Sequence, residues 1–119
     1  MSSPSTHAAH FFLDMSFEKN TTVLDLLGDG TIGDILKNQK GYSNIDLLVN
    51  SVETAALVQA KNCYRTIHNS PFVPDGRLPV KDRSYEVVIM GGVFKEGGLE
   101  MECFEQILRV VNSGKHILL

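Results

Sequence analysis

The sequence predicts a three-layer α/β domain built on a parallel sheet, and three observations carry that expectation. Short apolar runs alternate with amphipathic stretches along most of the chain. The runs are continuous rather than alternating, as in strands buried on both faces. The first run carries an acid and leads into a glycine loop that opens a helix, the arrangement found at the ligand end of an open parallel sheet.

In chain order, residues 1–6 are rich in Ser and Pro and predict a loose arm, with the domain proper over 7–119. His7 to Leu13 predicts a short helix that packs Phe11, Phe12 and Leu13 on the domain. Thr22 to Leu27 predicts the first buried strand, and Gly28-Asp29-Gly30-Thr31-Ile32-Gly33 the glycine loop. A short helix carrying Ile32, Ile35 and Leu36 should end near Gly41, which suits a left-handed cap. Ile45 to Val49 predicts the second strand. Ser51 follows as a helix N-cap, with Glu53 in the first turn where the dipole favours an anion. Val52, Ala55, Ala56, Gln59 and Ala60 form one face of that helix and should pack on the sheet. Cys63 to Ile67 predicts a third strand, and the stretch from Asn69 to Pro79, with three prolines and Gly76, a loop. Tyr85 to Met90 predicts a fourth strand. Met101, Phe104, Ile107, Leu108 and Val111 recur at helical spacing, Gly114 should close that helix, and His116 to Leu119 a fifth strand.

A chain of 119 residues fits one domain with one core. Apolar content of 43% and charged content of 21% are those of an ordinary globular protein. The net charge of −3 and the lack of a basic cluster disfavour a nucleic-acid partner, because phosphate neutralisation needs several cations on one face. No run reaches the ~20 apolar residues of a membrane span, and no signal peptide is visible, so the expected location is cytoplasmic. Cys63 and Cys103 read as two free core thiols, with a disulfide as the lesser alternative. His7 and His10 share a helical face, but no Cys, Asp or Glu completes a ligand set, so no metal is expected. Nucleophile-elbow and P-loop motifs are absent.

The glycine loop admits two explanations. Close approach of a ligand to the backbone would require Gly28 and Gly30, and a plain strand-to-helix turn would use them equally well. Asp75 is the only acid between His68 and Leu78. It either faces a ligand or satisfies its own backbone in a Pro-Asp-Gly turn.

Two runs carry a family resemblance. Leu78-Pro79-Val80-Lys81-Asp82-Arg83-Ser84-Tyr85-Glu86-Val87-Val88 resembles the LPF-x-D-x-S-Y/F-D-x-V approach to strand four of class I S-adenosylmethionine (SAM)-dependent methyltransferases. Leu108-Arg109-Val110-Val111-Asn112-Ser113-Gly114-Lys115 resembles their L-R-V-L-K-P-G-G helix end before strand five. Ser84 to Gly97 is similar to the S-Y-D-A-V-I-S-x-G-A-F-x-E-G run of the Williams–Beuren-region methyltransferase-like group. The resemblance covers roughly residues 10 to 119. It implies a Rossmann-like sheet in the order 3-2-1-4-5, without the sixth strand and the antiparallel seventh of full members.

What the resemblance implies about the site is mixed. The family pattern D-x-G-x-G-x-G maps onto Asp25 and the following loop with its first glycine displaced by one, and Ile32 stands where a glycine is expected. Asp25, Gly28 and Gly30 are the implied SAM contacts there. The acid that holds the ribose hydroxyls falls on Val49, which accepts no hydrogen bond. A missing acceptor there would cost about 1–3 kcal/mol. Asp75, three residues before Leu78, takes the position of the acid near adenine. No catalytic base is identified. Met90-Gly91-Gly92-Val93-Phe94 lacks the proline- and aromatic-rich motif of base methylases and resembles small-molecule-type members. The implied function is a methyltransferase-like domain with weakened SAM binding and a small-molecule methyl acceptor; the alternative is a non-catalytic binding or regulatory module. With strand five outermost, its apolar edge would favour self-association or a partner protein, unless the segment from His7 to Phe17 covers it.

Overall fold

The computed structural model describes residues 4–28, 30–69, 85–90 and 111–118, by backbone alone for 4–7 and 111–118. The expectations for Asp75, for Cys103 and for the helix over residues 101–108 lie outside them. Five strands form one parallel sheet: β1 (Val23–Leu26), β2 (Ile45–Val49), β3 (Thr66–Asn69), β4 (Tyr85–Ile89) and β5 (Val111–Leu118), in the order β3-β2-β1-β4-β5. Order and direction are those the sequence implies.

Because side chains alternate across a strand, the apolar runs supply two buried faces at once. Val23, Ile45, Leu47, Val49, Val87 and Ile89 join one core cluster with Ala8, Ala9 and Phe12 of α1 (Pro4–Asp14), with Ile32 and Leu36, and with Val58. On the opposite face Leu24, Leu26, Leu48 and Val88 are equally inaccessible. Phe12 anchors α1: its ring lies 4.9 Å from Phe17 and 5.0 Å, edge-on, from Tyr42. Phe11, expected to pack inward, is exposed instead, since it neighbours Phe12 on a helix whose buried stripe is Ala8, Ala9 and Phe12. α1 also comes within 8 Å (Cα–Cα) of β5.

After the glycine loop, α2 (Thr31–Gly33) continues as a π-helical stretch over Asp34–Gln39 and ends at Gly41, whose φ of +82° is the left-handed cap expected there. α3 (Val52–Gln59) begins at Ser51, whose hydroxyl accepts the Thr54 N–H at 3.3 Å as an N-cap.

α1 begins at Pro4, so residues 4–6 of the expected loose arm are helical, and three further expectations need correction. α3 turns Val58 and part of Ala55 to the core, while Val52 and Leu57 are about 70% and 72% exposed. Its small apolar residues lie all round the helix, so periodicity alone did not select the face. β3 starts at Thr66 rather than Cys63, because Cys63 and Tyr64 turn inward as part of the connection and fill space beneath α2. Finally, Val111 to Gly114 belong to β5, not to a helix end. Tyr85 pairs with Val111 while Val87 pairs with His116, so β5 takes up extra residues in a bulge, and Gly114 falls within that interval.

Candidate functional site

The carboxyl ends of β1 and β2 meet at the start of α2, where an open parallel sheet offers its ligand crevice. Asp25 sits near the end of β1 on the same face as Val23 and is fully buried. A carboxylate inside a core demands partners. The Tyr64 hydroxyl donates to Asp25 Oδ2 at 2.6 Å. Burial and the neighbouring Asp25 charge push the Tyr64 phenol far above its ordinary range, so it remains a donor.

The loop then turns sharply. Leu27, two residues after Asp25, has φ +54°, and its N–H donates to the Leu48 carbonyl at 2.8 Å. In the family pattern this is the position of the first glycine. A left-handed turn here is therefore made by a residue that does not favour it, at a cost of about 1–2 kcal/mol. Gly28 lies directly over Asp25, and a Cβ there would overlap the carboxylate. Gly30 has φ +100°, and a Cβ on it would come within 2.9 Å of the Lys61 side chain. The close approaches at both glycines are thus made to side chains of this chain. The Gly33 N–H donates to the Tyr64 hydroxyl at 3.1 Å.

Val49, at the implied ribose position, is 2% exposed and belongs to the apolar cluster with Ile45 and Leu47. It offers no acceptor, and the following Asn50 is exposed. Asp25, Gly28 and Gly30 are brought together; Val49 ends the neighbouring strand, and Asp75 lies outside the described residues. As a SAM site these residues fit in part. A buried acid beneath a glycine turn is present, and a ribose acceptor at Val49 is not.

Leu27, Lys61 and Tyr64 join the site without having been expected from the sequence. Leu27 had a legible signal, a bulky residue where the pattern wants glycine. Tyr64 reaches Asp25 across 39 residues of sequence, and no local pattern encodes such a contact. Asp46, an acid three residues before Val49 in β2, has a different task. Its carboxylate accepts Arg65 Nε and Nη2 at 3.0 and 2.8 Å, the Thr66 N–H at 3.1 Å and the Tyr85 hydroxyl at 2.6 Å. Burial alone would raise its pKa, but the Arg65 and Tyr85 hydrogen bonds and the Arg65 and His68 charges outweigh this and hold it below the ordinary carboxylate value.

A cavity of about 360 Å³ opens beside α3, between Val58, Cys63, Tyr64 and Ile67, with Arg65 and Gln59 also lining it. Among the described residues no group of three or more His, Cys, Asp or Glu could hold a metal, and no helix is long and apolar enough to cross a membrane.

Comparison with known proteins bears on the fold. No family model and no curated protein matches the chain. Solved structures do. MccD protein superposes with a TM-score of 0.71 at 16% identity, over 93% of this chain and 51% of that one. A protein assigned as an S-adenosyl-L-methionine-dependent methyltransferase from Methanococcus maripaludis gives 0.69 at 18%, over 96% and 53%. A protein assigned as a methyltransferase, in complex with the Haloferax volcanii Trm112 methyltransferase activator, gives 0.67 at 23%, over 94% and 48%. The chain spans about half the length of the structures it matches. With the sheet order and the glycine turn after β1, these likenesses show that the chain has the class I SAM-dependent methyltransferase-like fold.

Proposed function

We infer that the chain is a SAM-dependent methyltransferase-like domain of the small-molecule-type branch, similar to the Williams–Beuren-region group, and that it binds SAM weakly. The observation that carries this is the pairing of a retained feature with a lost one. Asp25 lies buried beneath Gly28 at the end of β1, where the fold keeps its cofactor loop, while Val49 at the end of β2 is sealed into the apolar core. SAM, when bound, supplies an already activated methyl group, so the protein's part in such chemistry is alignment. Here Asp25, Gly28 and Gly30 would hold the amino-acid end of the cofactor and Asp75 its adenine, with nothing at Val49 to fix the ribose. The methyl acceptor is a small molecule, and the location is cytoplasmic.

Thermal unfolding with and without SAM tests this reading, since a ligand that binds only the folded state raises Tm according to its concentration over Kd. A rise that begins only near 0.1 mM SAM supports it; a large rise at low-micromolar SAM contradicts the assignment of Val49.

A second reading, a non-catalytic binding or regulatory module on the same scaffold, is favoured by the full burial of Asp25 and its engagement by Tyr64. It predicts no SAM-dependent shift at any concentration. For either reading a protein partner is proposed at the β5 edge, the outer strand of the described sheet that α1 approaches. Sedimentation over a concentration series would reveal self-association there.

A further inference from the structure

Two hydrogen bonds meet on one oxygen. The Tyr64 hydroxyl donates to Asp25 Oδ2 at 2.6 Å and accepts from the Gly33 N–H at 3.1 Å. Asp25 and Gly33 flank the glycine loop on its two sides, one in β1 and the other in the first turn of α2. Tyr64 is 8% exposed, and its ring packs so close to Gly33 that a Cβ there would fall 2.6 Å from a ring carbon. Next to it, Cys63 is 1% exposed, with its Sγ 3.9 Å from the Gly30 carbonyl oxygen. Between the flanks, Leu27 and Gly30 both hold positive φ, and for leucine such a state persists only where the surroundings enforce it.

We propose that Tyr64 is a positioning residue for the glycine loop. Its hydroxyl clasps the two flanks and keeps Leu27 in the left-handed conformation, so the α3–β3 connection sets the affinity of the loop for its ligand. The naming of that ligand as SAM rests on the function proposed above; the clasp itself does not.

Tyr64→Phe keeps the ring and removes the oxygen. On the full chain, amide exchange, labelling of Cys63 by N-ethylmaleimide mapped by mass spectrometry, and titration with SAM are measured together. Loss of one such hydrogen bond should speed exchange at Gly33 and along residues 26–32 about tenfold beyond any change in β2, speed Cys63 labelling, and raise the SAM Kd about fivefold. Adding Leu27→Gly removes the need for enforcement, so the double variant should recover most of the lost affinity. Uniform acceleration across the whole sheet, unchanged loop exchange, or a looser loop with unchanged Kd each overturns the proposal, as does failure of Leu27→Gly to rescue a loosened loop. If Tyr64→Phe does not fold, the Leu27→Gly background decides: folding restored there supports the clasp, and folding not restored overturns it. Should the unaltered chain bind no SAM, the SAM reading fails, and the clasp is judged on exchange, labelling and rescue of exchange by Leu27→Gly.

Discussion

Two buried carboxylates on adjacent strands, Asp25 on β1 and Asp46 on β2, have been given opposite surroundings. Each receives a tyrosine hydroxyl at 2.6 Å. Asp46 also collects the Arg65 fork and the Thr66 N–H, and it ties β2 to β4 and to the start of β3. Its opposing cation is 45% exposed, so screening by water limits what the ion pair itself contributes. Asp25 lies instead under the glycine turn, where Tyr64 also holds Gly33 and where Gly28 has no side chain to stand in the way. The difference separates roles within one sheet. Asp46 is enclosed as a structural anchor, and Asp25 is placed at the end of the sheet where this fold presents its ligand loop.

The largest test adds a third carboxylate without either set of partners. Val49→Asp would bury a charge among Ile45, Leu47 and their neighbours, and should cost about 3–5 kcal/mol in denaturant unfolding. If Val49 is the ribose position, SAM will raise the Tm of this variant more than that of the parent; an equal rise removes the assignment.

Asp46→Ala comes next. It leaves the buried Tyr85 hydroxyl and the Thr66 N–H without their acceptor, and should lower stability by about 3 kcal/mol with little change in SAM affinity. A large loss of affinity would show that the two carboxylates are not separate in role.

The pH profile distinguishes the networks further. The Asp46 pKa is lowered on folding, so its stabilisation is present above the unfolded value of about 4 and is lost as pH falls below it. Tyr64 and Tyr85 have phenols raised chiefly by burial, then by Asp25 and Asp46 respectively. Their stabilisation is present below the unfolded value of about 10 and is lost as pH rises beyond it. Chemical unfolding should therefore show a plateau between these limits and an alkaline decline reduced in Tyr64→Phe and Tyr85→Phe; an alkaline limb unchanged in both would contradict the hydrogen-bond assignments.

Asp25→Asn should have the smallest effect on stability, about 1 kcal/mol, since the amide oxygen still accepts the Tyr64 hydroxyl. Its effect on SAM affinity should exceed that of Asp46→Ala, and the reverse ranking would break the division of roles.

The fold was largely legible in the sequence because its evidence is periodic. Mainly apolar runs at 23–26, 45–49 and 85–89, each interrupted by one acid, mark buried strands directly, and the Ser51 and Gly41 caps follow from local chemistry. Where periodicity is ambiguous, the structure departs from it. α3 has apolar residues all round, Cys63-Tyr64 imitates a strand start, and Gly114 imitates a helix stop inside a bulged strand. The candidate site was legible only as far as the motif extends along the chain. Asp25, Gly28 and Gly30 lie within it, whereas Tyr64 joins from 39 residues away. The departure at Leu27 was visible as a displaced glycine; that the backbone there is left-handed was a matter for the structure alone.

The most direct measurement is calorimetric titration of the full chain with SAM and, separately, with its demethylated product. A glycine turn with its buried acid and no ribose acceptor predicts saturable heat for both, with Kd on the order of 100 μM, about −5 to −6 kcal/mol. Submicromolar binding would contradict the placement of Val49 at the ribose, and no heat at all for either compound would contradict retention of a cofactor loop.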